Sequence, residues 1–178
     1  MKGIYFIDNN LPETCKVIDA MKKYYKDQTQ EDLNSGVILI NLDGKSKTET
    51  IEYYAGVFEK MNTSLKECKI MEDINKHIEE IKGEDVIVLV DLHMLADEEK
   101  KIDEDPDYKC ISMQCMEELE RLGIRYAWYS SYAGNRFKDQ WQIRLQEIYG
   151  KGIPKIYERS GLIQAHFNRE WATEILEV

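Results

Sequence analysis

The residues EDVIVLVDLHML, positions 84–95, carry the strongest structural signal in the chain. An apolar run from Val86 to Val90 ends at a carboxylate, Asp91. An unbroken Val/Ile/Leu run reads as a strand buried on both faces, as strands are inside parallel sheets. Ligands of such sheets gather outside the carboxyl ends of the strands. Asp91 therefore stands where a helix cap, a metal ligand or a nucleophile would stand.

On the N-terminal side of this stretch the pattern alternates between strand and helix. GIYFID (3–8) reads as a first strand, and NNLPETCKVIDAMKKYYK opens the first helix. Asn10 is its expected cap, Pro12 suits its first turn, and Glu13 stands where a capping box needs it. GVILINLD (36–43) is the second strand. The spacing then predicts two helices, over about 48–61 and 64–82, the latter closed by Gly83.

The Asp91 strand is the third. Beyond it, Ile111, Cys115, Met116, Leu119 and Leu122 recur at helical spacing up to Gly123. IRYAWYSS (124–131) is the fourth strand, a helix is expected from Asn135 to Tyr149, IPKIYE (153–158) is the fifth strand, and NREWATEILEV closes the chain as a helix. Such alternation predicts one α/β domain over 1–178: an open, three-layer parallel sheet with helices on both faces. Right-handed crossovers with one reversal of winding give five strands in the order 2-1-3-4-5, with an extra helix between strands two and three.

At 178 residues the chain can bury a substantial core without staples. A formal charge of −10 argues against nucleic acid or an anionic membrane as partner. Much of the acidity lies in DEEKKIDEDPD (97–107), which reads as a solvated loop or a docking surface for a basic partner. The cysteines (15, 68, 110, 115) form no CxxC pair, and three of them lie on segments with helical periodicity, which suits buried thiols rather than disulfides or zinc. The histidines (77, 93, 166) are dispersed. No apolar run approaches the ~18 residues of a membrane span, and no signal peptide is evident, so a cytoplasmic setting is expected.

The expected sheet brings several strand ends to one edge: Asp8, Asn9 and Asn10 from strand one, Asp91 from strand three, Ser130 and Ser131 from strand four, and Glu158 and Arg159 from strand five. Two carboxylates brought together repel unless protonated or bridged by a cation. With oxygen donors and no thiolate or imidazole cluster, that cation is expected to be Mg²⁺. A metal-bridged carboxylate, a hydroxyl and a fixed positive charge suit phosphoryl transfer onto an aspartate.

In these features the chain resembles the receiver domains of two-component response regulators. IYFIDNN resembles the acidic end of the receiver's first strand, and VLVDLHML resembles its phosphoacceptor strand, with Met94 three residues after the aspartate. WYSSYAG resembles the fourth-strand ending with its hydroxyl at Ser130, and IYERSG sits where the family has lysine-proline. The resemblance implies that Asp91 accepts a phosphoryl group from a histidine kinase or phosphotransfer protein. It implies that Asp8 holds Mg²⁺ with Asn9, Asp91 and the backbone carbonyl of His93, while Ser130 and Arg159 contact the phosphoryl oxygens. His93 and Tyr132 match the variable positions that tune phosphoryl lifetime. The family also implies self-association or binding of an output protein through the helix 4–strand 5–helix 5 side, where Trp141 and Tyr149 fall. Under this reading the chain is a signalling switch and not an enzyme.

The departures define an alternative. The usual acid pair is Asp8-Asn9, and the usual lysine is replaced by Arg159, with Lys155 as second choice. Ser160 stands for the proline, and Leu95 stands where a proline is common. Ile156 aligns with the switch aromatic, while Tyr157 is one residue away. These changes suit a pseudo-receiver, an interaction module without phosphoryl chemistry. A haloacid-dehalogenase-like phosphatase, with Asp8 as nucleophile, Ser130 as hydroxyl and Lys155 or Arg159 as cation, lacks its second aspartate at Asn10 and its late acidic pair.

Overall fold

In the computed structural model of the chain, residues 2–105, 107–131, 143, 146, 147, 156–164 and 169–178 are described. Their elements run β1 (Gly3–Asp8), α1 (Leu11–Thr29), β2 (Asn34–Ile40), α2 (Thr48–Lys60), β3 (Thr63–Cys68), α3 (Met71–Glu80), β4 (Val86–Asp91), α4 (Glu98–Glu104), α5 (Ile111–Leu122), β5 (Arg125–Ser130), β6 (Ile156–Glu158), α6 (Arg159–Ile163) and α7 (Arg169–Leu176). Of the expected helix over 135–149, residues 143, 146 and 147 are described, as helix; Tyr132, Trp141, Tyr149 and Lys155 lie outside the described residues.

The strands form one six-stranded sheet in the order β3-β2-β1-β4-β5-β6, and every pairing is parallel. This corrects the expected five strands. The five keep their relative order as β2, β1, β4, β5 and β6, and β3 is added outside β2. Residues 64–68 belong to the helix expected over 64–82, but that helix begins only at Met71. Thr63 and Cys68 are buried while Ser64 and Lys66 are exposed, the mixed pattern of an edge strand. Such a strand lacks the continuous apolar run that marks β4, which is buried at every position.

Alternation along the strands sends side chains into two cores. On one face Ile4, Phe6, Leu89 and Tyr129 pack with α1, with Phe58 of α2, and with Leu162 and Ile175 from the C-terminal helices. On the other face Ile7, Val88, Val90 and Trp128 pack with Ile74 and Ile78 of α3 and with Cys115, Met116 and Leu119 of α5. Helices α1 and α2 thus lie on one side and α3 and α5 on the other. The winding reverses between β1 and β4, and a crevice opens beyond their carboxyl ends.

Local signals explain the helix ends. The Asn10 side chain accepts from the Glu13 N–H at 3.1 Å, as its capping position predicts. The reciprocal half of the box is replaced, because the Asn10 N–H donates to Asp8 Oδ1 at 3.0 Å. Gly123 caps α5 at φ 68°, a left-handed conformation that glycine adopts freely. Gly83 does not cap α3, which ends at Glu80 with Ile81 as its C-cap; it serves the turn into β4 at φ 82°.

The acidic segment is not wholly a loop. It contains α4, and Glu98 is buried, only 2% exposed. The four cysteines are free thiols, three of them buried. Burial pushes the Cys68 and Cys110 thiols up to about 12. Among the described residues no helix is long and apolar enough to cross a membrane.

Candidate functional site

Asp8 ends β1 and Asp91 ends β4, the two strands that flank the reversal of winding. Asp91 lies in register with Tyr129 of β5, and Tyr129 with Tyr157 of β6. Two residues beyond Tyr157, Arg159 opens α6 at the same edge of the sheet. Neighbouring registers, rather than sequence proximity, assemble the cluster.

The carboxyl group of Asp8 is the centre of this arrangement. Its Oδ1 accepts the backbone N–H groups of Asn9 at 2.6 Å and Asn10 at 3.0 Å. Its Oδ2 accepts the Thr14 hydroxyl at 2.9 Å, Arg159 Nη2 at 2.9 Å, and the Tyr129 hydroxyl. The Tyr129 ring is set by an edge-on contact with Phe6 at 5.8 Å, and the Arg159 guanidinium lies 4.9 Å from its centroid.

Asp91 completes the cluster. Arg159 Nη2 stands 3.5 Å from Asp91 Oδ1, so one nitrogen pairs with both carboxyl groups. Asp8, Asp91 and Arg159 are 1%, 5% and 5% exposed, so these charges meet away from solvent. Burial, and next the charge of Asp8, push the Asp91 carboxyl well above the usual carboxylate range, against the pull of Arg159. The His93 backbone donates to the Asp91 carboxyl, a smaller pull the other way. The arrangement is a buried acid pair beside a fixed guanidinium. Burial and the same Asp8 charge drive the Tyr129 phenol upward, which keeps it a donor.

The residues expected at this edge divide into three groups. Asp8, Asp91 and Arg159 come together. Ser130 is fully buried at the end of β5, in register with Glu158, one alternation step past the residue that faces Asp91. Asn9 and His93 contribute differently from expectation. The Asn9 amide donates to the carbonyl of Met94, tying the segment after β4 to the end of β1. His93 offers Asp91 its backbone hydrogen bond.

Two contributors were missed in the sequence, Tyr129 and Thr14. The hydroxyls that reach Asp8 are theirs. Alternation offered one signal, because Tyr129 shares a face with Asp91 once β4 and β5 are in register. Thr14 had only its place one helical turn beyond Asn10.

The fit to Mg²⁺ can be tested on the donor set. Magnesium demands close octahedral coordination by oxygens. Here Asp8 is saturated by protein donors, the Asn9 side chain is engaged elsewhere, and a guanidinium nitrogen stands between the two carboxyl groups. Among the described residues no group of three His, Cys, Asp or Glu side chains is placed to hold a metal ion. This donor set does not fit a divalent ion.

No protein-family model matches the chain, and a comparison with curated proteins finds no match. The fold and the site together define an α/β protein with a six-stranded all-parallel sheet. A buried acid pair, bridged by an arginine, lies where its winding reverses.

Proposed function

We propose that the chain is a receiver-like signalling module that works by protein–protein interaction without phosphoryl chemistry. A single observation carries this reading: Arg159 bridges the two buried carboxyl groups at the position where a phosphorylatable receiver needs a metal and an open aspartate. A carboxyl group that is 5% exposed, paired and inclined to keep its proton is a poor nucleophile toward an external phosphoryl donor. The flavodoxin-like character of the sheet supports the family resemblance, although β3 adds a strand beyond the receiver pattern. The formal charge of −10 favours a protein partner over nucleic acid.

A second reading keeps the phosphoacceptor, with Mg²⁺ and a histidine kinase or phosphotransfer protein as partners. It is favoured by the meeting of Asp8, Asp91 and a cation at the sheet's reversal point. Acetyl phosphate with Mg²⁺, followed by intact-mass spectrometry, separates the two. The module reading expects unmodified protein under conditions that label an ordinary receiver. A phosphoryl adduct that disappears in Asp91→Asn overturns it.

A further inference from the structure

We infer that Arg159 is a built-in counter-cation that keeps divalent metal out of the Asp8–Asp91 pair, and that removing its charge turns the pair into a divalent-cation site. The inference deepens the phosphorylation-independent reading and rests on it, since it names what holds the site in one state.

The geometry of the guanidinium is the first argument. An arginine facing a carboxylate can present two nitrogens to its two oxygens as a fork. Arg159 instead directs one nitrogen, Nη2, at Asp8 Oδ2 and Asp91 Oδ1, at 2.9 and 3.5 Å. Its Nε is buried without a hydrogen-bond partner. The side chain therefore acts as a single bridging charge, as a metal ion would, and forgoes its own donor at Nε.

Coordination space is the second. Asp8 Oδ1 is filled by the N–H groups of Asn9 and Asn10, and Oδ2 by Thr14, Tyr129 and Arg159. A metal ion could gain an Asp8 oxygen only by displacing one of these donors, and Arg159 is the one that also blocks Asp91. The third is charge. A dication within a few ångströms of a fixed guanidinium in a buried, low-dielectric site meets strong repulsion. With the guanidinium gone, two buried acids remain with no cation between them, and a divalent ion is the natural replacement.

The test compares Mn²⁺ binding, followed by the loss of the free-ion electron paramagnetic resonance signal, in wild type, Asp91→Asn, Arg159→Met and the double variant Arg159→Met/Asp91→Asn. Wild type should show no binding that Asp91→Asn removes. Arg159→Met should bind Mn²⁺ at least about tenfold more tightly than wild type, and the double variant should lose that gain. Arg159→Lys, which keeps a point charge, should behave as wild type.

Asp91-dependent binding by wild type overturns the inference, and so does a folded Arg159→Met with none. Should Arg159→Met fail to fold in a chelator, it is refolded in Mn²⁺: recovery supports the inference and failure in both conditions overturns it. The two readings fail separately. Wild type that binds Mn²⁺ through Asp91 but takes no phosphoryl group breaks only the counter-cation, whereas an Asp91 adduct breaks the module reading.

Discussion

Among the described residues, two regions bury acidic side chains, and they solve the problem differently. Beyond β1 and β4, two carboxyl groups share one pocket and a guanidinium stands between them. In the acidic segment, Glu98 is buried alone. It accepts the Ile111 N–H at 2.8 Å and the Tyr108 hydroxyl at 3.3 Å, and so caps α5, whose own N-cap residue Cys110 makes no side-chain capping bond. Burial raises the Glu98 carboxyl above its ordinary range despite those donors. One acid can be held by a helix N-terminus and a phenol. Two acids in contact need a cation between them or a proton on one of them.

Removing the cation gives the largest expected effect. Arg159→Met should cost about 3–5 kcal/mol in metal-free solution, the range for stranding a buried charge, measured by urea denaturation. Arg159→Lys should recover much of it. Equal losses in the two variants would show that packing of the side chain, not its charge, holds the pair.

Tyr129→Phe should cost roughly 1.5–3 kcal/mol, as expected for a buried hydrogen bond to a charged group. A negligible change would mean that Thr14 and Arg159 satisfy Asp8 unaided. In the other region, Glu98→Ala should cost about 1 kcal/mol. Faster hydrogen exchange should appear in the first turn of α5, and the carboxyl cluster should be untouched. Exchange that rises evenly over the whole chain would remove Glu98 as a local cap.

Asp91→Asn should change stability least at mildly acidic pH, within about 1 kcal/mol, because an amide is neutral, as the protonated Asp91 carboxyl is there. Its signature is the pH profile. The Asp91 and Glu98 carboxyls are both raised in the folded state. Below about pH 4 the folded and unfolded chains both carry these protons. As the pH rises, the unfolded chain releases them first, and stability falls until the folded groups titrate in turn. Wild type should therefore lose stability on going from acid toward neutral pH, by at most about 1.4 kcal/mol per unit per group. Asp91→Asn should flatten that slope more than Glu98→Gln. A wild-type stability that climbs over this interval would contradict the raised Asp91 carboxyl.

Legibility in the sequence followed burial. β1 was readable to its bounds, Gly3–Asp8, and β4 announced itself because a strand covered on both faces must be apolar throughout. β3 was not readable. As an edge strand it mixes Lys66 and Glu67 with the buried Thr63 and Cys68, and that polarity resembles a helix start as much as a strand. α4 was hidden for a related reason: in a run of acids nothing local distinguishes Glu98, which turns inward, from the exposed Asp97 and Asp103.

The sequence by itself determined the alternation of elements, the parallel sheet and the arrival of Asp8, Asp91 and Arg159 at one edge, because strand ends in a parallel sheet must share an edge. Only the tertiary structure decided what those residues do to one another. Whether two carboxyl groups meet a metal ion or a guanidinium depends on a few ångströms of side-chain reach across three strands. Tyr129 and Arg159, brought to Asp8 from 121 and 151 residues away, set the electrostatics of the site through register and burial that no local pattern encodes.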